Sequence, residues 1–516
     1  MNGSPVKLAC LEKNGMNLLG LLRTVLSFVP FRPTLTRPGL SRLAASLAMA
    51  AAVSSAVAQP DYQLHATAVT SAPADPAIAA ALAQISSARI RQTIEKLVSF
   101  GTRDTISSMT TDLPPGQGVT AAADWIATQF EEISKQCGGC LEVKRDTFTN
   151  PAAERIPKPT TITNVYAILK GRGASQTGQG YGRMYLVTGH YDSRNSDTLD
   201  DHGAAPGAND DASGVAVSIE CARVLSKLKL PASLVFVAVA GEEQGLNGSS
   251  HLAKLAKDEG WQLEAVLNND IVGGNTTPGD MLQLKDRVRV FSEGVPISAT
   301  PEEARRIRAL GKDDDSPSRE VARAVAQAGR TYFPRTGSTA FGAFLVSRPD
   351  RYLRGGDHSS FNREGFAAVR LTEWREDFNH QHQNVVQPPA GSKDPVLGDL
   401  IEFVDFKYVA QVARLNAATL ATLASAPGEP VNLKIEDQKL DNGTTLHWEA
   451  PAGNSVAYYQ VVWRETDAPD WQFAKRVDAT PVGDAVTADL PISKDNVIFG
   501  VRSVDASGHQ GLVAAP

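Results

Sequence analysis

Apolar positions change period repeatedly along the chain, and the order of those changes predicts its architecture. From Pro76 to Leu97, and again from Val119 to Ile133, apolar residues recur at helical spacing. Short runs with strand character follow at Leu141 to Phe148, Thr163 to Leu169 and Arg183 to Thr188. Asp211 to Leu228 reads as a helix. Leu234 to Ala240 is uninterrupted apolar sequence, the pattern of a strand buried on both faces. A helix near Ser249 to Asp258, strands at Leu263 to Asn268, Arg287 to Phe291 and Ala367 to Thr372, and a long helix from Leu397 to Leu423 continue the alternation. Strands alternating with helices in this way predict an α/β domain, a mixed central sheet flanked by helices on both sides.

The pattern changes at Ser425-Ala426-Pro427-Gly428, which reads as a linker. Beyond it only short strands appear, at Val431 to Ile435, Thr444 to Trp448, Tyr458 to Arg464, Trp471 to Val477 and Val497 to Val504, with Asn442-Gly443 and Ser507-Gly508 as turns. Such a segment fits a small all-β sandwich at the C-terminus. The order Trp448, Tyr459, Val461, Trp463 and then Val-x-Phe-x-Val-x-x-Val resembles a fibronectin type III module, although Val497 stands where that family often has tyrosine. The expected boundaries are therefore 1–58 for an N-terminal signal, 59–75 for an unstructured leader, 76–425 for the α/β domain and 426–516 for the sandwich.

The N-terminal assignment rests on Arg37 and Arg42 preceding an apolar, alanine-rich run from Leu43 to Val57, which ends in Ala56-Val57-Ala58 before Gln59. A basic flank, a short apolar stretch and a small-x-small site suit a signal peptidase, and the run is too short for a membrane span. The expected location is periplasmic or secreted, with no membrane span once the signal is removed. Cysteine use agrees: of the 4 cysteines, Cys137 and Cys140 form a Cys-Gly-Gly-Cys pair expected to be a local disulfide in an oxidising compartment. With 42% apolar and 21% charged residues among 516, the chain is an ordinary globular protein of more than one domain. Its formal charge of −6 gives no electrostatic reason to expect nucleic acid as a partner.

Candidate chemistry gathers where strands end. His190 and Asp192 follow one strand, and Asp210-Asp211 lies in a glycine-bounded loop entering a helix. Glu242-Glu243 follow the fully apolar strand, Asp270 closes Asn268-Asn269-Asp270, and His380 lies in Phe378-Asn379-His380-Gln381-His382. Open α/β sheets place their sites beyond the carboxyl ends of strands, so these segments can converge on one crevice. Carboxylates directly after a buried strand are costly unless something neutralises them. Two imidazoles, several carboxylates and no thiolate make a ligand set that suits two Zn2+, with Co2+ or Mn2+ as alternatives. Each residue alone has a plainer reading: a loop histidine, a solvated pair of glutamates, an N-capping aspartate.

Taken in order, Gly-His-Tyr-Asp-Ser (189–193), Gly-Ala-Asn-Asp-Asp-Ala-Ser-Gly (207–214), Gly-Glu-Glu-Gln-Gly-Leu-Asn-Gly-Ser (241–249), Asn-Asn-Asp (268–270) and Asp357-His358-Ser359-Ser360-Phe361 resemble the successive signatures of the bacterial di-zinc aminopeptidases, metallopeptidase family twenty-eight. The resemblance covers roughly residues 90–425. It implies that Asp210 bridges the two metals, that His190 and Asp270 complete one site, and that Glu243 and His380 complete the other. It further implies that Glu242 is the general base acting on the shared water, that Asp192 holds the second ring nitrogen of His190, and that the Asp210–Asp211 peptide is often cis. His380 is taken ahead of His382, two residues on. The position four residues after His380 is Asn384, where the family pattern has an acidic residue, and Asn379 stands where some members have an oxyanion-stabilising tyrosine, leaving His358 as a candidate for that role.

The implied activity is hydrolysis of N-terminal residues from peptide substrates. Zinc carboxypeptidases and single-zinc glutaminyl cyclases share the scaffold and stay open, as does an inactive binding protein. The partner of the sandwich is unknown. The acidic loop Asp197 to Asp201 is a weaker candidate for calcium.

Overall fold

A computed structural model describes residues 59–64, 66–173, 180–334, 336–337, 339–452, 456–479 and 485–516. The expected signal segment, 1–58, lies outside the described residues, as does His65. Residues 60–516 form one compact unit. Its strands are β1 (Thr67–Ala68), β2 (Leu141–Asn150), β3 (Thr160–Leu169), β4 (Arg183–His190), β5 (Ser233–Val239), β6 (Gln262–Asn269), β7 (Arg287–Ser292), β8 (Gly342–Val346), β9 (Ala368–Thr372), β10 (Val431–Ile435), β11 (Thr444–Glu449), β12 (Tyr458–Glu465), β13 (Phe473–Asp478), β14 (Ala485–Leu490) and β15 (Val497–Val504).

The expected α/β domain is present as an eight-stranded mixed sheet in the order β2-β3-β5-β4-β6-β9-β7-β8. Its middle is parallel: β4 pairs in parallel with β5 and with β6, and β6 with β9. The apolar run in β5 has a direct structural meaning. Leu234, Phe236 and Ala238 face a core shared with helices Ala212–Leu225 and Phe406–Ser425. Val235, Val237 and Val239 point the other way, into a core shared with helix Asn247–Asp258. In a strand covered on both faces every unpaired polar side chain is costly, and each fully buried Val, Leu or Phe contributes about 1.5–3 kcal/mol. The strand is therefore a rigid pedestal for the acidic residues that follow it.

The long helix begins later than its apolar pattern suggests, at Phe406 rather than Leu397. Asp405 caps it, its side chain accepting from the backbone N–H groups of Lys407 and Tyr408, and Gly398 just upstream adopts φ +109°. The residues between stay out of the helix, which leaves Asp399 available to the site described below.

The C-terminal segment forms two antiparallel sheets, β10-β11-β14 and β1-β13-β12-β15. They enclose a core that includes Trp448, Tyr459, Val461, Trp463 and Phe499. The sequence had read 59–75 as a structureless leader, and the structure corrects this. β1 pairs with β13, extending that sheet at its edge, and the Trp463 indole donates to the Tyr62 carbonyl at 2.9 Å. An open sheet edge and an unpaired indole N–H supply partners that composition alone does not reveal. The linker reading also changes, because Ala426 is buried and buried Arg464 pairs with Asp315 of the α/β domain at 2.7 Å. Cys137 and Cys140 are joined as a disulfide.

Candidate metal centre

The parallel strands β4, β5 and β6 end at the same edge of the sheet, and each delivers one part of a polar centre. His190 is the last residue of β4, Gly241 (φ +79°) turns the chain after β5 into Glu242-Glu243, and Asp270 follows β6. Asp210 comes from the loop entering helix Ala212–Leu225, and the Asp210–Asp211 peptide is cis. Asp211 does cap that helix, one carboxylate oxygen accepting from Gly214 N at 2.9 Å, while its other oxygen accepts from His190 N at 3.0 Å. One short acidic pair thus fixes both the helix start and the end of β4.

Among the described residues, two groups of acidic and histidine side chains have the proximity to hold an ion: His190, Glu242 and Asp270, and Asp210, Glu243 and His382. The Asp210 carboxylate joins them. One of its oxygens lies 3.0 Å from His190 Nε2 and the other 2.9 Å from His382 Nε2. Glu243 Oε1 is 3.1 Å from His382 Nε2, and Asp270 Oδ1 is 3.9 Å from His190 Nε2. All of these side chains except Glu242 and His382 are buried. His190 Nε2 and Glu243 Oε1 are buried without a hydrogen-bond partner. One such atom in each group, with ligands that are all imidazole nitrogen or carboxylate oxygen, fits divalent zinc.

His380 is not in the centre. Its ring stacks on Phe403 at 3.6 Å, with Nδ1 facing Asn275 and Thr277 at 3.3 Å. The turn explains the exchange: His382 takes φ +54°, uncommon for a residue with a Cβ, and this swings its ring toward Asp210. In a loop without strand or helix periodicity, two histidines two residues apart cannot be ranked by spacing.

The surrounding groups set the charge of the centre. Asp192 meets both halves. Its carbonyl lies 3.1 Å and its Oδ1 3.5 Å from His190 Nδ1, while Oδ2 accepts from Glu243 N at 3.2 Å. The expected support for the second ring nitrogen is therefore given chiefly by the Asp192 carbonyl. Burial opposes the charged form of His382, but the Glu243 and Asp210 carboxylates outweigh it and raise the ring to about 10 in the absence of cations. Burial, with Asp270, Glu243 and Asp357 nearby, pushes the Glu242 carboxyl well above its usual range despite the opposing pull of His190. Burial likewise lifts Asp357 to about 7. Bringing several carboxylates together in a buried place thus raises the cost of charging each one.

Several contributors were not singled out from the sequence. Asp399 accepts from the backbone N–H groups of Asn209 (2.8 Å) and Asp210 (2.7 Å), holding the loop that carries Asp210. Arg370, fully buried in β9, pairs with Asp270 Oδ2 at 2.6 Å. Arg194 donates to Glu243 Oε2 at 2.9 Å, and its Nη2 lies 2.6 Å from His382 Nδ1. Arg370 left one legible trace, a charged residue between Val369 and Leu371 in the strand Ala368–Thr372. His358 does not reach the cleft beside the centre. Its Nε2 lies 2.8 Å from the Pro349 carbonyl, and burial lowers the ring to about 4. Asn379 is exposed and borders a separate hollow. The carboxylates of Asp197 and Asp200 serve their own loop, accepting from Leu199, His202 and Gly203 N–H groups, and no metal cluster forms there among the described residues.

Comparison with known proteins identifies the family. The family model described as Peptidase family M28 matches residues 164–393. A probable zinc metalloprotease of Pyricularia oryzae is 43% identical over 450 residues, covering 86% of this chain and 84% of that protein. Another, from Leptosphaeria maculans, is 42% identical over 440 residues, covering 85% and 96%. The chain belongs to peptidase family M28, a family of zinc metalloproteases. These relatives are fungal, whereas the motif resemblance had pointed to bacterial members. Among solved structures, LapB from Legionella pneumophila aligns with a TM-score of 0.45 at 18% identity, covering 68% of this chain and 75% of that one. Glutaminyl cyclase from Porphyromonas gingivalis aligns with a TM-score of 0.43 at 18% identity, covering 65% and 98%.

Proposed function

We propose that the chain is an exported two-zinc exopeptidase that removes N-terminal residues from peptides. The observation that carries the two-ion reading is the Asp210 carboxylate, whose oxygens face a different histidine each. His190, Asp210 and Asp270 would hold one ion, and Asp210, Glu243 and His382 the other. Zinc bound there supplies a Lewis acid for the scissile carbonyl and lowers the pKa of an attacking water. Glu242, half-buried and lining the cleft, takes the proton of that water and passes it to the leaving amine. The Asp192 carbonyl accepts from His190 Nδ1, which leaves Nε2 as the ring's donor toward the centre. Arg194 orients Glu243 from the side away from His382 Nε2.

The direction of attack follows the family resemblance, and a blocked substrate tests it. A peptide with a free amine should be shortened one residue at a time, lose this reaction on chelation and regain it with zinc, while its N-acetylated form resists. Efficient cleavage of the acetylated peptide, read by mass spectrometry, removes the aminopeptidase reading.

Export is supported by the Cys137–Cys140 disulfide, which persists in oxidising compartments, and by the signal-like sequence. Cleavage after Ala58 would spare Asp61 and Tyr62, which already bind the sandwich. The N-terminal peptide of the protein recovered outside the cytoplasm should begin at Gln59, and an intact residue 1 in that fraction would refute the assignment. No helix among the described residues is long and apolar enough to cross a membrane. The two C-terminal sheets support a fibronectin type III-like brace on the peptidase domain; its own partner is unassigned.

A further inference from the structure

The cleft that opens onto the centre, about 370 Å³ in volume, is not the apolar pocket that would take a leucine-like side chain. Leu246 is its one large apolar side chain, whereas Arg155, Arg194, Arg351 and Arg354 all line it. A guanidinium keeps its charge at any relevant pH, so the decisive matter is which of these charges is already matched. Arg194 is spent on Glu243 and the Asn195 carbonyl. Arg351 is spent on Asp350 (3.0 Å), Glu376 (2.7 Å) and the Gly355 carbonyl.

The other two are different. Arg155 is exposed and, among the described residues, makes one hydrogen bond, from Nη1 to the Glu243 carbonyl at 3.0 Å, with no carboxylate within ion-pairing distance. Among the described residues, the polar partners of the Arg354 side chain are Gln381 Oε1 at 3.5 Å and Glu376 at 3.7 Å. Glu376 is already paired more closely with Arg351 and with Arg289 (2.9 Å), so three guanidinium groups share one carboxylate. The Arg354 guanidinium also lies over the Phe378 ring, 5.9 Å from its centroid, which holds it at the mouth without neutralising it. Both sit on loops over the strand ends, Arg155 between β2 and β3 and Arg354 between β8 and β9.

We propose that Arg155 and Arg354 form a carboxylate-recognition site, so that preferred substrates carry an acidic group next to the scissile bond. This rests on the peptidase reading above and narrows it. The carboxylate has two possible sources, an acidic side chain or the free C-terminus of a short peptide, and guanidinium recognition is the same for both.

The experiment uses the full processed chain with zinc. Peptide amides beginning with Glu or Asp are compared with Gln, Leu and Lys counterparts, and a Leu-initiated dipeptide is compared as free acid and amide. Acidic side chains should raise kcat/KM by about 10–100-fold over the matched amides, the range of a charge-assisted contact. A preference confined to the free acid assigns the carboxylate to the C-terminus instead. Arg354→Gln and Arg155→Gln should each erase most of the preference through KM, with smaller changes for neutral substrates, and Arg155→Lys should restore part of it. Equal rates for Glu and Gln substrates together with equal rates for acid and amide overturn the proposal, as do variants that slow every substrate alike. A binding arm separates this failure from failure of the peptidase reading: calorimetry of glutamate against glutamine, on wild type and Arg354→Gln, needs no turnover. At least tenfold tighter glutamate binding that depends on Arg354 supports the site even if no peptide is cleaved, as does tighter binding of the Leu-initiated dipeptide acid than of its amide; equal binding within both pairs refutes it.

Discussion

Glu242→Gln is expected to keep two zinc ions per chain, leave KM close to wild type and lower kcat by about 10²–10⁴-fold, the usual contribution of a positioned general base. Glutamine matches glutamate in size, so the cleft keeps its shape. Its amide has no basic oxygen to accept the proton of the attacking water. The structure makes this a sharp test because Glu242 sits close enough to His190 and Asp270 to be a ligand. A ligand and a base have opposite signatures: loss of the ligand removes metal, while loss of the base removes turnover with metal retained. Metal analysis and steady-state kinetics on the same preparation read both. If zinc falls to one per chain, Glu242 is a ligand; if kcat stays within tenfold of wild type, it is not the base.

The parts legible in the sequence share a cause. The apolar run of β5 is tied to its position because a strand covered on both faces makes an unpaired polar side chain costly, and the acidic pair after it marks the strand's carboxyl end. His190, Asp210, Glu243 and Asp270 are all anchored to such strand ends or to a helix start, and the structure brings them together. What escaped the sequence is held by tertiary contacts. Asp399 acts through backbone N–H groups nearly two hundred residues away in the chain. Arg194 and Arg370 are matched to carboxylates from other strands. The segment before Pro76 has no periodicity of its own and takes its strand from the open edge of β13. Residues 379–384 belong to this second class, because a loop's side-chain directions come from local φ values and neighbours rather than from a repeat.

That loop carries the second large effect. His382→Ala should reduce bound zinc from two per chain to one and weaken the affected site by more than the roughly 10–100-fold typical of losing a supporting partner, since a direct donor is removed. Turnover should fall with it. Asp210 and Glu243 would then face each other without the imidazole between them, two carboxylates of which Glu243 is already paired with Arg194, an arrangement with a poor hold on a second divalent ion. His380→Ala removes a ring stacked on Phe403, a packing contact of about 1 kcal/mol, and should lower the melting temperature slightly while leaving zinc content and kcat near wild type. The pair is informative because both changes delete the same side chain two residues apart on one loop, so nonspecific damage would affect them alike. Metal-to-protein ratio by elemental analysis separates them. Two ions retained in His382→Ala, or one lost in His380→Ala, would return the ligand role to His380 and require the loop to rearrange when zinc binds.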